Sequence, residues 1–285
     1  MLNPSVLIAD ELGRRLAASY RRAFGGRQPL FAEIIDEAAR LVIERIATSD
    51  ALYHNAEHTA LVALVTQDIL RAWRMRRQVT PDDWLHMTLA ALVHDVGYVR
   101  GICRGDTLGA CVVDAAGTMV AIPRGASDAF LAPYHVERSK IAILERFVPH
   151  DLIDAERLAA AVELTRFPVP QDADHAATDT EAGLVRAADL IGQLGDPLYL
   201  RKLNALFHEF SEIGMNVELG YRNPADMAEL YPRFFWSRVQ PYVKDAIALL
   251  EMTGEGRQWV ANLYSHVFAI ENSLQRIGPQ PGNAP

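Results

Sequence analysis

Tyr53-His54-Asn55-Ala56-Glu57-His58 sets two imidazoles one helical turn apart at the start of a helix. Asn55 is a good N-cap, because its side-chain oxygen can accept an orphan backbone N–H. The stretch is answered by His94-Asp95, which closes the apolar run Leu89-Ala90-Ala91-Leu92-Val93. A carboxylate in such a run must be neutralised, paired or metal-bound, since burying it alone costs several kcal/mol. Asp189 repeats the pattern among Leu184, Val185, Ala188, Leu190 and Ile191. A salt bridge to Arg186 or a capping role would be the structural explanation for it. A lone histidine on a helix is ordinarily a surface or satisfied core residue. Two imidazoles with two carboxylates are instead a donor set for divalent ions such as Zn, Fe or Mn.

Outward from these stretches the apolar spacing is helical. Helices are expected over 5–24, 30–47, 56–77 and from Thr80 to about Val96. Thr80-Pro81-Asp82-Asp83 is a strong start signal, with a capping hydroxyl, a proline in the first turn and two carboxylates at the positive end of the dipole. Residues 97–133 lose this period. Cys111 to Asp114 and Thr118 to Pro123 flank Ala115-Ala116-Gly117, which predicts a small β-hairpin or a long loop at about 100–133. Helices resume at 135–147, 155–165, 180–194, 197–213, 224–230, 234–252 and 257–270. No repeat or linker divides the chain, so 1–272 reads as one all-α domain. The Pro- and Gly-rich end, 273–285, reads as a disordered tail.

Composition narrows the function. The net charge of −8 over 285 residues argues against a nucleic-acid polymer as partner. The dense basic cluster Arg71, Arg74, Arg76 and Arg77 reads as a solvated helix face. Two cysteines give no disulfide framework. The N-terminal stretch carries Asp10 and Glu11 and has no signal-like apolar core. No apolar run approaches the roughly 20 residues that span a bilayer. A cytoplasmic protein without a membrane segment is the expectation.

The set His58, His94-Asp95 and distant Asp189 resembles the HD superfamily of metal-dependent phosphohydrolases. Tyr53-His54-Asn55 ahead of His58 is similar to the signature of class I cyclic-nucleotide phosphodiesterase catalytic domains. The resemblance runs from about residue 50 to 265. It takes in Tyr134-His135, Leu164-Thr165, Ala187-Ala188-Asp189-Leu190 and the stretch from Phe234 to Pro241. It implies an HD/phosphodiesterase-like helical bundle binding one or two divalent ions (Zn, Mn, Mg or Fe). His58, His94, Asp95 and Asp189 would ligate the tighter ion, and Asp95 would bridge to a second. His135 would be a further ligand, as in other HD branches. His54 would be the general acid. Thr165, Tyr98 and Arg100 would stand behind the ligands, and Phe234, Tyr231 and Arg233 would meet the substrate.

The implied reaction is hydrolysis of a phosphoester of a small molecule or nucleotide, by a metal-activated hydroxide with a His general acid. Its alternatives are a nucleotide phosphomonoesterase, a diiron HD oxygenase and a non-catalytic HD module that binds a ligand or regulates. A homodimer is a further expectation for the assembly. Two departures stand out. Val96-Gly97-Tyr98-Val99-Arg100 occupies the place of the family's Val-Asp-His-Pro-Gly. Tyr231 falls where the family reads a purine with Gln, and a phenol cannot reproduce an amide's paired donor and acceptor.

Overall fold

The computed structural model describes residues 3–148 and 150–275. Side chains able to accept a backbone N–H mark where many of its helices start. Asn3 caps α1 (Pro4–Phe24), which packs along α2 (Pro29–Ile46). The Asn55 oxygen accepts from the N–H groups of Glu57 and His58 at the head of α3 (Ala56–Arg76). Thr80 and Asp83 form a reciprocal capping box on α4 (Pro81–Val93). After the hairpin region come α5 (His135–Phe147) and α6 (Ala155–Glu163), then α7 (Glu181–Leu194), capped by Thr180. The chain continues through α8 (Tyr199–Glu212), the short α9 (Met215–Glu218) and α10 (Pro224–Phe234), and closes with α11 (Gln240–Leu250) and α12 (Gly254–Gln275).

The result is an all-α bundle with one small hairpin. That hairpin, β1 (Ala110–Val112) against β2 (Met119–Ala121), is antiparallel and pairs Ala110 with Ala121. It lies in the segment where the helical period is lost. Three boundaries differ from the sequence pattern. First, α4 stops at Val93, so His94 and Asp95 sit in the turn that leaves it. Second, α10 and α11 are joined by a π-helical turn, Phe235–Val239, rather than by a break. The widened turn stands just ahead of Pro241, whose nitrogen carries no hydrogen to donate to an unbroken α-helix. Third, α12 reaches Gln275, into the first residues of the expected tail, and 276–285 lie outside the described residues. Among the described residues no helix is long and apolar enough to cross a membrane.

Two glycines set the distances between the elements that carry the site. A Cβ at Gly192 of α7 would stand 2.9 Å from Val62 of α3, so these two helices approach backbone to backbone. A Cβ at Gly97 would stand 1.9 Å from the His135 carbonyl oxygen and 2.8 Å from the Ser139 nitrogen. The first turn of α5 therefore presses on the turn after Asp95. Any larger residue at 97 would push the two apart.

Arg138 of α5 fixes this arrangement from below. Its fully buried guanidinium donates to the carbonyls of Gly97, Val99 and Val112 and pairs with Asp106 at 2.8 Å. Asp106 in turn accepts from the N–H groups of Gly101 and Val112. One ion pair thus ties the segment after Asp95 and strand β1 to α5. Removing one partner of a buried pair leaves the other uncompensated. Asp106→Ala is therefore expected to cost about 3–5 kcal/mol, read as a lowered urea midpoint with an unchanged slope. A loss below about 1 kcal/mol, the size of a surface pair, would contradict this role.

Candidate metal centre

His58 stands in the first turn of α3, held by the Asn55 cap. His94 leaves the end of α4 with its Nδ1 2.9 Å from the Ala91 carbonyl, which makes Nδ1 the donor and leaves a lone pair on Nε2. Ser139 braces the same turn: its hydroxyl donates to the His94 carbonyl at 2.6 Å and accepts from the Gly97 N–H at 2.8 Å. Asp189 enters from the middle of α7.

These side chains meet. The Nε2 atoms of His58 and His94 lie 3.4 Å apart. Asp95 Oδ2 is 3.3 Å from His58 Nε2 and 3.1 Å from His94 Nε2. Asp189 Oδ1 is 3.2 Å and 3.5 Å from the same two atoms. Adjacent donors around an ion at about 2.1 Å are spaced by roughly 3.0–3.4 Å, so each carboxylate sits at ligand spacing from both imidazoles. His58, His94 and Asp95 are buried, with ligand atoms all within 4.8 Å of one another.

The chemistry of the donors also asks for a cation. A neutral His94 would turn a lone pair toward Asp95 Oδ2, itself an acceptor 3.1 Å away, and this buried oxygen has no hydrogen-bond partner. Two acceptors facing each other repel unless a proton or a metal ion lies between them. Two carboxylates and two neutral imidazoles sum to −2, which one divalent ion offsets. Burial pushes His94 down, yet Asp95 and Asp189 hold it well above the ordinary imidazole range. Burial pushes both carboxylates up, and the imidazoles overcome this and hold them well below theirs. The group fits.

A second constellation stands beside the first. His54 Nδ1 is 2.6 Å from Glu209 Oε2, and Glu209 Oε1 accepts from the N–H groups of Tyr53 and His54 at 2.6 and 3.2 Å. Burial acts to lower the His54 pKa, but the Glu209 carboxylate outweighs it and raises it to about 9. Tyr98 is stacked between His54 and His135, at ring distances of 4.6 and 4.7 Å. His135 donates from Nδ1 to the Ala132 carbonyl and brings Nε2 to 3.7 Å from Asp95 Oδ1, the carboxylate oxygen not turned toward His58 and His94.

Both constellations open on one pocket of about 1060 Å³, its mouth included. His54, Asp95, Tyr98, His135, Thr165, Asp189 and Glu209 line it. Thr165 donates its hydroxyl to the Val162 carbonyl at 2.8 Å. Tyr231 and Phe234 line it as well.

Two expected residues stand elsewhere. Arg100 is held by Asp128 at 2.5 Å and by the Ala126 carbonyl, over the Phe130 ring, and does not line the pocket. Arg233 is exposed and does not line it either. Tyr231 and Phe234, three apart, share one face of α10, and Arg233 between them points to another. The Arg186 explanation of Asp189 also fails, because Arg186 gives its hydrogens to the His175 and Ala177 carbonyls. Glu209 was missed, although a carboxylate between Leu206 and Phe210 carries the signal that singled out Asp95 and Asp189.

In comparison with known proteins, a family model described as Npun_R2479-like matches residues 2–273. No curated protein matches the chain.

Proposed function

The chain belongs to the Npun_R2479-like family, and from the side chains gathered on its fold we propose a metal-dependent phosphohydrolase of the HD type with a phosphodiesterase-like site. The observation that carries this reading is the meeting of two constellations in one pocket. His58, His94, Asp95 and Asp189 stand at ligand spacing, and His54, backed by Glu209, stands next to them.

These four residues would hold the ion. Bound there, a divalent metal lowers the pKa of a ligated water toward neutrality and polarises a phosphoryl oxygen. The chain supplies the rest. With Nδ1 committed to Glu209, His54 keeps its Nε2 proton for the leaving oxygen. The raised pKa keeps that proton in place at neutral pH. Stacking on Tyr98 holds the imidazole plane, and the backbone N–H bonds to Glu209 hold the carboxylate behind it. Among the described residues no Lys or Arg lines the pocket, so the His54 imidazolium would be the chain's own positive group facing the phosphoryl oxygens.

The protein loaded with Mn2+ or Zn2+ is expected to hydrolyse bis(p-nitrophenyl) phosphate, to lose the activity with EDTA and to regain it when metal is restored. Full metal loading without turnover of this ester or of a nucleotide panel would replace the hydrolase with a ligand-binding module. One observation favours a second reading. His135 beside the free oxygen of Asp95 offers the start of a second cation position, as a diiron oxygenase needs. Two irons per chain with oxygen consumption, and no ester hydrolysis, would establish that reading instead.

A further inference from the structure

Beside the two constellations, the pocket is lined from α7, α8 and α10 mainly by apolar side chains. Leu190 and Leu194 line it from α7, Leu206 and Phe210 from α8, and Met227 and Phe234 from α10. Methionine is a soft, adaptable wall residue that accommodates varied apolar shapes. Among the described residues no Lys or Arg lines it. Arg222, next to the lining Tyr221, is paired with Asp226, and Lys202 of α8 is paired with Asp196 and Glu57.

Polar groups in the apolar part are few. The Gln193 amide lines the pocket. The Tyr231 hydroxyl is buried at 1% exposure and has no partner. Burial pushes this phenol well above its ordinary range, so it stays a neutral hydroxyl.

The geometry points to a phosphoester of a lipophilic alcohol, with a long alkyl or fused-ring group, as the substrate class. This rests on the phosphohydrolase reading. A second phosphate or a carboxylate in this part would be a buried charge without a partner. A purine would set several ring nitrogens and exocyclic groups against a lining that offers them the Gln193 amide and is otherwise mostly apolar. An apolar group instead replaces water along the walls and gains about fourfold in binding for each methylene buried. In the reaction, water oxygen bonds to phosphorus and one of its protons leaves to solvent, the bond from phosphorus to the leaving oxygen breaks, and His54 supplies the proton that oxygen takes up and regains one from solvent. The alkyl group lies in the apolar part throughout.

The test is a series of alkyl p-nitrophenyl phosphodiesters (methyl, butyl, octyl) with the Mn2+-loaded protein, set against thymidine 5′-p-nitrophenyl phosphate. The expected result is a rise in kcat/KM of about fourfold per methylene until the pocket is filled, with the thymidine ester below the butyl ester. Phe210→Ser should flatten the rise with chain length. A flat or falling series, or a preference for the thymidine ester, overturns the inference. If no ester is cleaved, the hydrolase reading fails, and alkyl phosphonate binding measured by calorimetry decides the pocket separately. A Kd that falls with chain length keeps the apolar specificity, and a Kd independent of length removes it.

Discussion

Asp189→Ala is expected to lower kcat on bis(p-nitrophenyl) phosphate by about a thousandfold, near 4 kcal/mol of barrier, and to leave the purified protein largely free of metal. Both imidazoles face Asp189 Oδ1, at 3.2 and 3.5 Å. Without it, His58 and His94 share only Asp95, and the site loses one of the two charges that favour a divalent ion. Activity and occupancy should fall together, since one side chain sets both. The stability response separates this from general damage to the fold. A ligand that binds only the native state adds about 2.7 kcal/mol at a hundredfold excess over its Kd, so metal should raise the Tm of the wild-type chain. The same addition should leave the Tm of Asp189→Ala nearly unchanged, while the metal-free forms melt at similar temperatures. Asp189 is partly exposed to the pocket, and its loss opens no cavity in the apolar core. Full metal content with unchanged activity in Asp189→Ala would remove α7 from the site and end the four-ligand proposal.

What the sequence could disclose follows from the range of each interaction. Caps are local: Asn55 and Thr80 announce α3 and α4 because the N–H groups they accept lie within three residues. Buried charges are visible when an apolar run surrounds them, as for Asp95 and Asp189. Glu209 obeys the same rule, but His208 and Ser211 beside it shorten the run, and its partner His54 lies 155 positions away. Periodicity carries no information about such a pairing.

Direction is harder to read than chemistry. Arg100 and Arg233 were legible as cations near the site, yet a loop carboxylate turns one aside and helix phase turns out the other. The close approach of α5 is another case. A Cβ at Gly97 would meet the His135 backbone, and no sequence pattern announces that contact. The bare glycine lets a neighbouring helix bring its own histidine toward Asp95. The short α9 went unseen for a simpler reason: four residues do not make a period.

The pH response of Glu209→Gln tests the proton donor. His54 has a folded pKa of about 9, against about 6.5 unfolded. A general acid works below its pKa, so the basic limb of kcat/KM should fall as pH rises through the folded value. A divalent ion nearby repels the imidazolium and draws that limb down from 9, so it should lie between about 6.5 and 9. Removing the Glu209 charge leaves burial as the largest influence on His54, and burial favours the neutral ring. Glu209→Gln should therefore move the basic limb acidward by about one unit or more and lower the rate at pH 8 by roughly 10- to 100-fold. At pH 6 the loss should be smaller. Stability follows the same sign. The raised His54 pKa contributes stability that is fully present below about 6.5 and is lost as pH rises through about 9. The wild-type chain should lose that part across this window, and Glu209→Gln should lack most of it from the start. His54→Ala should abolish the basic limb and, unlike Glu209→Gln, should not recover at low pH. An unchanged limb in Glu209→Gln, with metal content intact, would show that His54 is not the acid and that Glu209 only braces the start of α3.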